Sequence, residues 1–263
     1  MQGEKIYMDM LSAGIFTVFR PNPAARIRLL CIPYAGGSAN LYQHWHEYLP
    51  EEVEVVVAQL PGRSYRLSEP PHESMSAVVS ELMTYIHQVL DRPLIIFGHS
   101  LGGCIGFALM VELQRRGLPL PAFFIGSASR PPHQLQLARK THHVSDEKFI
   151  DMLREMKGTS EEILNSNDIM AMLLPMLRAD FRISETYQYT DTLKYAVPAM
   201  FFSGDGDRYL PAERIALWQE LFSSRVTFAS FPGGHFFIHD HINDITQIIK
   251  GIAADILNKT DGK

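Results

Sequence analysis

The stretch I-I-F-G-H-S-L-G-G-C at residues 95–104 decides how the rest of the chain reads. It lies at the end of P-L-I-I-F-G (93–98), an apolar run with no alternation. That is the pattern of a short strand buried on both faces. A helical pattern then runs from Leu101 to Arg115 and is closed by Gly117. Ser100 sits at the junction, inside G-H-S-L-G. A serine between a buried strand and a helix, flanked by glycines, is the setting of a nucleophile elbow. Gly98 and Gly102 keep side chains out of the tight turn, and the serine takes a strained backbone that lifts its hydroxyl above the sheet edge. The start of the helix adds partial positive charge there. A serine that merely capped the helix would not need glycines at 98, 102 and 103.

Strand-like and helix-like runs alternate on both sides of this junction. Strands are expected at 26–33, 53–60, 93–98, 121–127, 197–204 and 225–231. Helices are expected at 40–49, 73–90, 101–115, 211–221 and 241–257. This alternation predicts an α/β fold, a mostly parallel central sheet with helices on both faces. Between the strands at 121–127 and 197–204 the rhythm breaks. About 70 residues there hold helical patterns at 145–156, 160–165 and 168–188 and no convincing strand. The expected organisation is a core of residues 1–130 and 191–263 with an inserted helical lid at 131–190.

The 263 residues suffice for one α/β domain with an enclosed pocket. Hydrophobic residues at 46% and charged residues at 20% suit a soluble globular protein. A net charge of −5 gives no broad nucleic-acid footprint, and no apolar run is long enough to span a membrane. The first ten residues carry no secretory h-region, and Cys31 and Cys104 read as reduced core thiols. A cytoplasmic location is the expectation.

A nucleophilic serine needs a base and an orienting acid, which follow it here in the order acid then histidine. The strand at 197–204 runs into D-G-D-R-Y-L-P (205–211), and the strand at 225–231 runs into P-G-G-H-F-F (232–237). Both place polar residues just past a strand's carboxyl end, where α/β sites form. His235 is therefore the expected base. His239 and His241 flank Asp240 and read as a solvated helix start, while the His99 side chain is expected to point away from that of Ser100. Asp205 and Asp207 compete for the acid. The D-x-x-apolar-P pattern favours Asp207 and leaves Asp205 as a turn residue. Oxyanion donors are expected at the backbone N–H of Leu101 and in the loop P-Y-A-G-G-S, at Ala35 or its neighbour Tyr34.

Five segments, L-L-C-I-P-Y-A-G-G-S-A (29–39), Q-L-P-G-R (59–63), G-H-S-L-G-G, S-G-D-G-D and P-G-G-H-F-F, occur in one order with consistent spacing. Together they resemble the type II thioesterases that accompany modular polyketide and nonribosomal peptide synthetases. The vertebrate medium-chain thioesterase of fatty-acid synthesis is a relative of that family. The resemblance implies an α/β-hydrolase fold and hydrolysis of acyl thioesters held on the phosphopantetheine arm of carrier proteins. It implies removal of misprimed or stalled units, with release of intermediates in some members. It carries the nucleophile to Ser100, the acid to Asp207, the base to His235 and the oxyanion donors to Ala35 and Leu101. It implies acyl or peptidyl carrier domains as partners, a monomeric enzyme, and no metal or redox cofactor. A carboxylesterase, lipase or acyltransferase of the same fold would use the same groups.

Residues 129–145 hold Arg130, Arg139, Lys140 and three histidines with no carboxylate. They are expected either to form a basic docking face with Arg115 and Arg116 or to be a solvated linker. The methionines at 152, 156, 170, 172 and 176 read as core packing that could also line an acyl channel. Phe236 and Phe237 either wall the pocket or pack their loop.

Overall fold

Strands that are apolar along their whole length pack in the middle of a sheet, and three such strands build its centre: β2 (Ile27–Ile32), β3 (Val53–Ala58) and β4 (Leu94–His99), all fully buried. The computed structural model describes residues 14–134 and 140–262. With β1 (Phe16–Thr17), β5 (Phe123–Ser127), β6 (Ala199–Gly204) and β7 (Val226–Phe231) these strands form one sheet in the order β1-β3-β2-β4-β5-β6-β7. All neighbours pair in parallel except β1, which runs antiparallel to β3 with Phe16 opposite Ala58. β1 is absent from the sequence reading because two residues make no periodic run. The edge strand β7 is only partly covered, as expected for a strand with one neighbour.

The helices are α1 (Met75–Tyr85), α2 (Leu101–Arg115), α3 (Asp146–Met156), α4 (Glu161–Leu164), α5 (Asn167–Thr186), α6 (Ala212–Ala216) and α7 (Ile242–Asp261). One side of the sheet buries Val78, Leu82, Phe107 and Leu109 from α1 and α2, together with Trp218. The other buries Tyr42, Trp45, Ile245 and Ile249. Between β5 and β6, helices α3–α5 share a small core of their own around Phe149, Leu153, Leu164 and Leu174.

Three expected helices are shorter or tighter than the periodicity suggests. Residues 40–49 hold two 3₁₀ turns, Ala39–Tyr42 and Trp45–Tyr48. Tyr42 and Trp45 are both buried with ring centroids 4.8 Å apart. Eclipsed i,i+3 side chains suit the 3₁₀ geometry better than the α. The helix expected at 73–90 is α only to Tyr85 and ends in a 3₁₀ turn, Ile86–Gln88. The one expected at 211–221 is α6 followed by a 3₁₀ turn, Leu217–Leu221.

Candidate active site

The turn after β4 has the strain its sequence requires. Ser100 has φ 54° and ψ −116°, outside the comfortable regions for a residue with a Cβ. Holding it there costs on the order of 1–3 kcal/mol. Its side chain makes no cap bond to α2, so the capping role fails. Its N–H donates instead to Ser127 O on β5 at 2.7 Å. The glycines on either side allow the close passage: a Cβ at Gly98 would lie 2.2 Å from Gly102 O, and one at Gly102 would lie 2.0 Å from Ile32 O. Neither contact can relax without moving backbone. Gly102→Ala is expected to lower the unfolding free energy by about 3 kcal/mol, read from urea denaturation.

β4, β6 and β7 deliver three side chains to the carboxyl edge of the sheet. Ser100 Oγ lies 2.9 Å from His235 Nε2. His235 Nδ1 lies 2.7 Å from Asp207 Oδ2. A carboxylate only accepts, so Nδ1 carries the proton and Nε2 presents its lone pair to the serine hydroxyl. The other oxygen, Asp207 Oδ1, accepts from Tyr209 N and Leu210 N at 2.9 and 3.0 Å, which fixes the carboxylate plane. Asp207 and His235 are buried, at 5% and 8% exposure. Asp205 is exposed, and its Oδ1 accepts from Gly233 N, joining the loops after β6 and β7.

Ala35 and Leu101 flank this arrangement. Residues 34–37 turn tightly, with Gly37 N donating to Tyr34 O at 2.9 Å and Gly36 at φ +79°, the signature of a type II turn. Leu101 opens α2. Among the described residues, neither Ala35 N nor Leu101 N donates to a protein group. Tyr34 places its ring edge-on to Phe236 and His99, and its hydroxyl is 3.0 Å from His239 Nε2. Burial pushes its phenol up to about 12, so it stays protonated.

The histidines beside the site keep the places read for them and add contacts. His239 is exposed just before α7, with its ring edge-on to Tyr34 and stacked on Phe236, and partial desolvation there lowers its pKa. His241 is tied to Asp244 and to Pro232 O. His99 does point away from Ser100, yet it touches the site. Its Nε2 donates to the carbonyl of His235 at 2.9 Å, and its Nδ1 accepts from Ser127 Oγ at 2.9 Å. Complete burial, with the neighbouring His235, holds its pKa well below the usual histidine value. The folded protein therefore takes up no proton at His99 where the unfolded chain does. Stability is expected to fall as pH drops below about 6.5, by up to about 1.4 kcal/mol per pH unit. His99→Gln should flatten that slope in urea melts at about pH 7.5 and about pH 5.

A pocket opens at Ser100 and His235, with Met152, Met156, Leu177, Phe181 and Phe236 among its walls. Phe236 lines it, whereas Phe237 stacks on Phe231 in the core. The methionines divide the same way: Met152 and Met156 face the pocket, Met170 and Met176 are buried in packing, and Met172 is exposed. Of the cations weighed for a basic face or a solvated linker at 129–145, several of those described are buried or paired. Arg130 is buried and donates to the carbonyls of Pro131, Ser184 and Tyr187. Arg115 and Arg116 both pair with Glu112, whose carboxyl they hold at about 2. His133 and His142 are bonded to Glu220 and Glu185. Lys140 is exposed, and Arg139 lies outside the described residues.

Residues 27–256 match the thioesterase domain family. The chain is 34% identical over 220 residues to the gramicidin S biosynthesis protein GrsT of Aneurinibacillus migulanus, covering 83% of this chain and 86% of that protein. Among solved structures, the type II thioesterase BorB from the borrelidin biosynthetic cluster matches with a TM-score of 0.82 at 30% identity, over 90% of this chain and 97% of that one. YbtT, a type II thioesterase from the yersiniabactin NRPS/PKS biosynthetic pathway, matches with a TM-score of 0.81 at 26% identity, over 92% and 99%.

Proposed function

Since this chain belongs to the thioesterase family and is a hydrolase acting on thioesters, we propose that it clears acyl groups from the phosphopantetheine arms of carrier proteins in nonribosomal peptide or polyketide synthesis. The observation that carries this reading is the Ser100–His235–Asp207 relay, with hydrogen bonds of 2.9 and 2.7 Å at the mouth of an apolar pocket. Ser100 Oγ attacks the thioester carbonyl while His235 Nε2 takes its proton. The N–H groups of Ala35 and Leu101 stabilise the oxyanion. The carbon–sulfur bond breaks, the pantetheine thiol leaves with the proton from His235, and an acyl-serine remains. Water, deprotonated by His235, then releases the free acid. Asp207 stays ionised and steadies the imidazolium through both steps. All these groups come from the protein, so the scheme calls for no metal or redox cofactor. Helices α3–α5 act as the lid over the acyl chain.

The biological role in this reading is editing: removal of misprimed or stalled acyl units by a cytoplasmic monomer. The test compares hydrolysis of one acyl group presented on a carrier protein, on free pantetheine and as a matched oxygen ester. Preference for the carrier-bound thioester is the expected result. Faster cleavage of the oxygen ester would point to a carboxylesterase instead, and transfer of the acyl group to an added amine or alcohol would point to an acyltransferase.

A further inference from the structure

Q-L-P-G-R (59–63) and the lid helix α5 contribute nothing to the three-residue relay, yet the structure joins them directly beside it. Asp180 of α5 is 1% exposed and Arg63 is 4% exposed. Arg63 Nη1 donates to Asp180 Oδ2 at 2.5 Å and Nη2 to Oδ1 at 2.9 Å, a bidentate pair. Asp180 Oδ2 also accepts from the backbone N–H of Gly36 at 2.7 Å. Gly36 is the φ +79° residue of the turn that presents Ala35 N–H. A Cβ at Gly36 would lie 2.6 Å from Leu177 Cδ2, so α5 touches this turn through Leu177 as well as Asp180. Gln59 braces the next part of the loop by accepting from Ala39 N at 2.8 Å, and its amide donates to Arg63 O at 3.3 Å.

We infer that Asp180 is a positioning residue for the oxyanion donor at Ala35, held in place by Arg63, so that the oxyanion site is complete only when α5 is seated. The peptide joining Ala35 to Gly36 takes one orientation in a type II turn and the flipped one in a type I turn. An acceptor on the Gly36 N–H selects between them and so pins the backbone on the carboxyl side of Ala35, whose own N–H lies on the preceding peptide. A carboxylate buried with a bidentate arginine cannot move without uncovering both charges. The turn, the Q-L-P-G-R loop and the lid helix therefore behave as one unit. This inference rests on the acyl-serine reading above and adds a physical link from the lid to the reacting carbonyl.

Thioester turnover is measured first with the unmodified enzyme. Failure there removes the thioesterase reading and this inference together, whereas the variants below bear on the inference alone. Arg63→Met/Asp180→Leu removes both charges and the Gly36 acceptor while filling the space, a change that buried ion pairs often tolerate. It should retain cooperative melting and lose kcat on the order of 100-fold, as loss of one oxyanion donor does. KM should stay within about 3-fold. Arg63→Gln/Asp180→Asn is also neutral but keeps an amide oxygen for Gly36 N–H. It should recover kcat to within about 5-fold of the unmodified enzyme. If the apolar pair does not fold, Arg63→Met/Asp180→Ala replaces it with the same expected loss, since it too leaves no unpaired buried charge. Unchanged turnover in a folded variant lacking the acceptor, a loss confined to KM, or equal losses with and without the amide acceptor would overturn the inference.

Discussion

Ser100→Ala is expected to lower kcat for acyl-thioester hydrolysis by at least about 10,000-fold while leaving the protein folded. The size follows from what the hydroxyl does. It is the group in the relay that forms a bond to the substrate, and among the described residues His235 holds no second nucleophile in the same geometry. What remains is the contribution of the oxyanion donors and of substrate binding, which work on a water attack that nothing positions. KM should change little, because the acyl chain is held by the pocket walls rather than by the serine. The variant also relieves nothing at the turn, since alanine keeps a Cβ at φ 54°, so its stability should stay within about 1 kcal/mol of the parent. Steady-state kinetics beside a thermal melt would check both halves. A variant that hydrolyses thioesters at a tenth of the parent rate would require another nucleophile.

Asp207→Asn is expected to cost on the order of 10,000-fold in kcat, with the fold intact. Asparagine keeps the shape and can still accept from Tyr209 N and Leu210 N through the oxygen that takes the place of Oδ1. Its amide nitrogen then faces His235 Nδ1 as a donor. The imidazole responds by carrying its proton on Nε2, which puts a donor where the serine proton must be received. Asp205→Asn makes the internal control. Its carboxylate is exposed and only accepts from Gly233 N, a bond that an asparagine oxygen reproduces, so kcat should stay within about 3-fold of the parent. The reverse outcome, a large loss at 205 and none at 207, would reassign the acid.

The elbow was legible because it combines three signals that reinforce each other: a strand buried on both faces, glycines where no Cβ fits, and a helix start. The mostly parallel sheet follows from the same β-α alternation, and Asp207 from the residues between its strand and Pro211. What the linear pattern could not show falls into two kinds. β1 pairs through two residues, too few to generate periodicity. Arg63, His99 and Asp180 meet partners 117, 136 and 144 positions away, and nothing local distinguishes a buried polar side chain with a distant partner from a solvated one. The stretch at 129–145 stays open between two readings for the same reason. Arg130 reads as exposed because no carboxylate is near it in sequence, whereas it is satisfied by backbone carbonyls, two of them at the end of α5. The specificity of Q-L-P-G-R was the one hint of that hidden layer, visible as a motif without a role.

The most direct measurement is rapid-quench peptide mass mapping of the enzyme mixed with an acyl thioester. One acyl mass on the peptide that carries Ser100, appearing before free acid accumulates and absent from Ser100→Ala, is the expected result. Free acid formed at full rate with no acylated Ser100 at any quench time, and with Ser100→Ala as active as the parent, would contradict it.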